Sequence, residues 1–261
     1  MIVKFGDVAE RLNIKVDQSN TDLEVYVGGE HIDGNELLVH RYGPIKGSTI
    51  GYQFQFGFEQ NDVLFMTKNP HLRKASMAPF RGLCSIATFV IRTKSEEKLL
   101  QEYLAIIMQS DDFWNYCEQH KSGGVNYFIN WGTLSQFPFE LPSIEIQKEI
   151  SNKVWAAYRL KEAYKKLLAS TDEMVKSQFI EMFGNPFDEC SGKVPLYSLC
   201  IINPLRPRNL DDSLPVSFIP MEKISEEGEY STFNTRPLGE VKKGFTYCAD
   251  DDVLFAKITP C

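Results

Sequence analysis

Two stretches of this chain set an acid, three apolar residues and a lysine in line: Asp62 to Lys68 in NDVLFMTKNP, and Asp252 to Lys257 in DDVLFAKITP. A carboxylate holding a divalent cation beside a lysine that steadies a phosphate would make a nuclease centre, provided the pair keeps one geometry. It does not, because the lysine follows the acid by six residues in the first stretch and by five in the second. An acidic turn residue leading into a strand, with a phosphate-facing lysine beyond it, accounts for both copies. The run FGNPF, Phe183 to Phe187, has the asparagine and proline with which a flipped base can be gripped. It lacks a second proline and closes a helical stretch, where Gly-Asn-Pro has a plain stopping role. No phosphate-cradling glycine loop, nucleophile elbow or paired-histidine motif is present. The six cysteines form no CxxC pair and the four histidines are scattered, so free thiols in a reducing compartment and no metal site are expected.

Binding chemistry is better represented. The net charge is −7, yet Val63 to Ser95 contains no acid and carries Lys68, Arg73, Lys74, Arg81, Arg92 and Lys94. Leu37 to Phe58 is also free of acids and carries Arg41 and Lys46. A basic face on an acidic protein suits contact with phosphates at one surface. The residues expected to touch DNA are Arg41, Lys46, Lys68, Asn69, Arg73, Lys74 and Arg81, with Lys257 as the repeat equivalent of Lys68. Ordinary solvated charge is the competing reading for each of them.

Three parts must position these residues. Residues 1–142 hold short strand-like runs, LEVYVGG, YQFQFGF, DVLFM and ATFVIR, punctuated by Gly-Gly, Asp-Gly, Gly-Pro and Asn-Pro pairs. Ser95 is placed to cap a helix through EEKLLQEYLAIIMQ, and Ser110 a shorter one through DDFWNYCEQH. The pattern predicts an α+β domain. Residues 143–184 contain no proline, and their only glycine is the last residue, which predicts one long helix. Ile146, Ile150, Leu160, Tyr164, Leu167 and Met174 follow a heptad seam and are expected to face a partner helix or partner subunit.

Residues 185–261 begin the first part again. Glu30 and Ile32 correspond to Glu222 and Ile224, and positions 61 and 251, which open the two quoted stretches, differ by 190. The expected organisation is a recognition-type domain, a spacer helix and the N-terminal part of a second, incomplete domain. No apolar run approaches the ~18 residues of a membrane span. The N-terminus lacks an export signal, so a cytoplasmic location away from membranes is expected.

With these residues in view, the chain resembles the specificity subunits of type I restriction–modification systems. The carriers are FPFELPSIEIQKEI ahead of a long helix ending SQFIEMFGNP, HLRKASMAPFRGLCSIATFVIR, and KGFTYCADDDVLFAKITPC. The resemblance implies that each recognition domain reads half of a split double-stranded DNA target and that two long helices pack antiparallel between the domains. It also implies that modification subunits dock on those helices and methylate adenine, and that a restriction and translocase subunit joins for cleavage. S-adenosylmethionine, ATP and Mg are then expected on the partner subunits, with no cofactor and no catalysis on this chain. The chain departs from the family pattern by stopping inside its second recognition domain. A piece of a longer subunit, a natural truncation, and a half-subunit that pairs with a second copy of itself on a palindromic target are the three expectations. Two readings outside this family role are a methyltransferase with its own recognition domain and a duplicated scaffold that binds only proteins.

Overall fold

The run Val63-Leu64-Phe65 is apolar at every position, which suits a strand covered on both faces. The computed structural model, which describes residues 1–18, 20–125, 127–185, 194–225 and 234–255, places it so. The chain divides into two units, Met1–Gln178 and Phe179–Cys261. The first opens with β1 (Ile2–Lys4), the single-turn helix α1 (Phe5–Val8), β2 (Ala9–Leu12), β3 (Val25–Val27) and β4 (Gly43–Pro44). It continues through β5 (Phe54–Phe58), β6 (Val63–Met66), β7 (Ala75–Met77), β8 (Gly82–Ser85) and β9 (Thr88–Thr93). Helices α2 (Gln101–Ile107), α3 (Asp111–Gln119) and α4 (Trp131–Leu134), strand β10 (Pro138–Glu140) and the long helix α5 (Ile144–Phe183) follow.

The strands form two four-stranded sheets. One is antiparallel in the order β2-β9-β6-β7. The other runs β4-β3-β8-β5, with β3 and β8 parallel. Side chains alternate across the first sheet. Val63, Phe65, Phe89 and Ile91 pack with Leu104, Phe113 and Trp114 of the helices. Leu64 and Val90 point the other way, onto Val27, Phe58 and Cys84 of the second sheet. The α+β class expected from the sequence is the class observed.

One expected helix is shorter than its pattern. α2 begins at Gln101 and not after Ser95. The cause is Gln147, a fully buried residue of α5. Its amide oxygen accepts from Leu100 N (3.0 Å), and its amide nitrogen donates to Lys98 O (2.9 Å) and Pro142 O (2.9 Å). Those bonds engage backbone groups that a helix running through Lys98 would need for itself. Ser110 caps α3 as expected, accepting from Phe113 N at 3.2 Å. α5 has 40 residues, a rise of roughly 60 Å. It stops at Gly184, which adopts φ +81 and donates its N–H to Ile180 O (2.8 Å), a left-handed position where a Cβ would be strained. Among the described residues no helix is long and apolar enough to cross a membrane.

The second unit contains β11 (Pro215–Phe218), antiparallel to β12 (Asn234–Pro237), and the short helix α6 (Leu238–Val241). Its local devices repeat those of the first. β11 and β12 pair as β3 and β4 do. The turn His31 N to Gly28 O (3.0 Å) recurs as Lys223 N to Pro220 O (3.0 Å). Asp62 accepts from Glu59 N (2.8 Å) as Asp252 accepts from Ala249 N (2.7 Å). The residues before these acids, Asn61 and Asp251, are both left-handed, at φ 73 and φ 68. A cavity of about 390 Å³, lined by Leu210, Leu214, Val216, Phe218, Leu238 and Phe245 among others, opens in this unit. Lys257, and Pro186 and Phe187 of FGNPF, lie outside the described residues.

Candidate nucleic-acid interface

The acid-free windows of the sequence are not free of acids in space. Arg41 forms an ion pair with Asp33, Arg73 with Asp111 (2.7 Å) and Arg81 with Asp22 (2.8 Å). Lys74 donates to Gly29 O. Arg92 gives two hydrogen bonds to the Asp62 carboxylate, at 2.7 and 3.0 Å. Asp62 is 1% exposed, so this pair is part of the interior. The arginine pairs of Arg41, Arg73 and Arg81 are solvent-facing and worth at most about 1 kcal/mol each, so a phosphate can replace the carboxylate at little cost. Lys46 and Lys68 are exposed and form no ion pair among the described residues.

The structure gathers the predicted residues into two groups. Lys68, Asn69, Arg73 and Lys74 occupy one loop after β6. Asn69 N donates to Tyr127 O (2.9 Å), and Asn35 N donates to Arg73 O (3.1 Å), so the loop is tied on both sides. A Cβ on Gly34 would lie 2.3 Å from Leu72 O, which explains the glycine at that crossing. Asn69 and Arg73 both adopt left-handed φ, 54 and 50, on either side of a single 3-10 turn. Arg41 joins this group through Asp33. Lys46 and Arg81 flank strands β4 and β8 of the second sheet: Ile45 N donates to Glu24 O (2.8 Å), and the neighbouring Tyr42 and Phe80 rings meet at 5.1 Å.

Sequence reasoning missed a hairpin beside the first group. Ser122 and Phe128 exchange backbone hydrogen bonds, 2.8 and 2.9 Å, and Phe128 also bridges to Lys68. Lys121 sits 4.2 Å from the Tyr127 ring centroid and pairs with Glu118 (2.6 Å). The Gly123-Gly124 pair and the aromatic pair just beyond it, Tyr127 and Phe128, are the available signs of a turn in the sequence.

The first half of α5 is seated on the α+β domain that precedes it by residues that the heptad seam does not contain. Gln147, Ser151, Trp155 and Tyr158 are its buried face. Trp155 Nε1 donates to Glu102 O (3.2 Å). Tyr158 donates its hydroxyl proton to Glu36 Oε2 (2.9 Å), so the oxygen accepts from Leu38 N (3.4 Å) and from His40 Nε2 (2.8 Å). Lys161 and Lys165 close on the same carboxylate at 2.9 and 3.0 Å. Burial pushes the Glu36 carboxyl up, but the hydrogen bonds from Lys161, Lys165 and Tyr158 outweigh it and hold the group at about 2. Burial first, and the bond to Glu36 second, push the Tyr158 hydroxyl well above its ordinary value. Glu36, His40 and Glu162 bring ligand atoms within 4.8 Å of one another. Two ammonium groups already neutralise Glu36, so the arrangement acts as an ion-pair network that seats the helix.

The expected partner residues lie elsewhere on α5. Ile146, Leu160, Tyr164, Leu167 and Met174 are exposed, and Ile150 is half-buried. Beyond Glu162 no side chain of the helix is buried among the described residues, and Leu168, Val175, Phe179 and Ile180 add to the apolar stripe.

The model of the type I restriction modification DNA specificity domain matches residues 1–168. The type I restriction enzyme EcoEI specificity subunit of Escherichia coli is 41% identical over 70 residues, 26% of this chain and 11% of that protein. The EcoDI specificity subunit of the same organism is 24% identical over 151 residues, 58% of this chain and 32% of that protein. The chain thus aligns with less than a third of the length of these curated relatives. In fold it is similar to the HsdS subunit from Thermoanaerobacter tengcongensis, with a TM-score of 0.54 at 23% identity, covering 74% of this chain and 51% of that one. A chain from a study of complex assembly and conformational transition in a type I R-M system gives a TM-score of 0.53 at 21% identity, covering 86% and 62%. With well over half its residues matched and its architecture shared with solved specificity subunits, the chain belongs to the family of type I restriction–modification DNA specificity domains.

Proposed function

We propose that this chain is a non-catalytic specificity subunit that recognises double-stranded DNA through its first unit and presents it to enzymatic subunits docked on α5. The observation that carries this is the division of labour along α5 within a family-matched chain. Its first half is fixed to the recognition domain, and its second half holds an apolar stripe open to solvent. A rigid helix with a free stripe suits a partner helix or a docked modification subunit. On this reading S-adenosylmethionine, ATP and Mg belong to the partners, and this chain supplies address and spacing.

Fluorescence anisotropy with duplex DNA tests the first element. Binding should weaken steeply between 50 and 200 mM salt, with a slope of about −0.9 per phosphate contacted. A flat salt profile leaves the protein-only scaffold. S-adenosylmethionine should not bind the isolated chain; binding would favour a methyltransferase with its own recognition domain. Leu160→Glu with Leu167→Glu should abolish capture of the modification subunit and leave DNA binding intact.

A second reading is favoured by the same exposed stripe: two copies pair through α5 and read a palindromic split target. Light scattering at micromolar concentration should then give twice the 29.9 kDa mass, and Leu160→Glu should return it to the single-chain value.

A further inference from the structure

We infer that the Ser122–Phe128 hairpin, through Val125, is the base-contacting tip of the recognition domain, and that Lys68 and Lys121 at its foot hold the flanking phosphates. The inference rests on the DNA reading proposed above and assigns its contacts. Val125 is 94% exposed and stands just beyond Gly123 and Gly124. An exposed apolar side chain on a hairpin footed by lysines suits a polyanion better than an apolar protein surface. It suits a groove. The major groove, about 12 Å wide, admits a two-stranded ribbon, and an apolar side chain there meets the thymine methyl.

The surroundings fit that position. Four cations, Lys68, Arg73, Lys74 and Lys121, lie on the hairpin and the loop bonded to it. Among the described residues only Arg73 and Lys121 of these are matched by acids, Asp111 and Glu118. Lys68 sits in the bridge to Phe128 itself and is exposed. The supporting loop is rigid by construction, with left-handed Asn69 and Arg73 held by the Tyr127 and Asn35 bonds. Left-handed backbone at a residue such as arginine persists only where its neighbours over-determine it. A reading tip on a pre-set base loses little freedom on binding.

The test is selection of random-core 30-bp duplexes by the full-length chain, followed by sequencing of the bound fraction. Wild type should enrich one motif. Val125→Ser should erase its preference at one or two adjacent positions by roughly 10-fold or more, with affinity for unrelated duplex unchanged. Lys68→Ala should keep the motif, weaken binding to every duplex and make the salt slope shallower by about 0.9. Because Val125 is exposed, its replacement leaves folding intact, and unchanged circular dichroism should accompany the altered motif. If Val125→Ser and Lys68→Ala both behave as wild type while wild type enriches a motif, the hairpin is not the reader and the DNA reading stands. If wild type binds DNA without enriching any motif, sequence recognition itself is lost, and this assignment with it.

Discussion

Asp62 and Asp252 sit in turns of the same construction, each accepting a backbone N–H three residues upstream and each preceded by a left-handed residue. Their surroundings differ. In the first copy Asp62 is closed off by Arg92, and Val63, Leu64 and Phe65 are fully buried. In the second, Asp252 is open, and Phe255 is 88% exposed. Turn geometry is therefore written locally, by an aspartate and a residue that tolerates left-handed φ. Burial is not local: strand β9 and helices α2 and α3 supply the cover that makes DVLF a core strand.

Paired substitutions can break that comparison. The largest effect is expected from Phe65→Ala, about 3–5 kcal/mol of lost stability, because a filled interior cannot close over the gap. Phe255→Ala should stay within about 0.5 kcal/mol. Urea unfolding followed by tryptophan fluorescence reads the first unit, where Trp114, Trp131 and Trp155 all lie, and circular dichroism reads the whole chain. Asp62→Asn comes next, at about 1–3 kcal/mol, since it strips a buried acceptor from Arg92; the guanidinium is partly exposed, which favours the lower end. Asp252→Asn should be near neutral, and equal losses at the two aspartates would refute the idea that cover alone distinguishes the copies.

The smallest effect concerns Glu36, held at about 2. A carboxyl with a depressed value adds stability above its unfolded value and loses it as pH falls through the folded one. Glu36→Gln should cost about 1 kcal/mol at pH 7, discounted because both lysines are half exposed. The gap from wild type should close between about pH 4.5 and 2. A gap that persists unchanged at pH 2.5 would show that the ion pairs are not its source.

Much of the fold was readable because apolar period and turn residues agree over β3, β5, β6, β9 and α3. The seating of α5 was hidden, since Gln147, Trp155 and Tyr158 carry it through hydrogen bonds that a count of apolar spacing ignores. The seam residues Leu160, Tyr164 and Leu167 were visible because nothing in the domain competes for them. The basic windows misled in a specific way: Asp22, Asp33 and Asp111 come from outside each window and reach its arginines only after folding. The hairpin behind Val125 was not legible, because two adjacent glycines serve helix stops and turns alike.

Gln147 gives all its bonds to main-chain groups, those of Lys98, Leu100 and Pro142. That contact engages only main-chain groups and is indifferent to the side chains on the far side of the domain; the Glu36 network adds the side-chain part of the seat. On the DNA reading proposed above, loops such as Lys68–Lys74 can be rewritten for a new address while the Gln147 contact between domain and rod is kept. Specificity and geometry are thereby uncoupled, and drift in the one need not disturb the other.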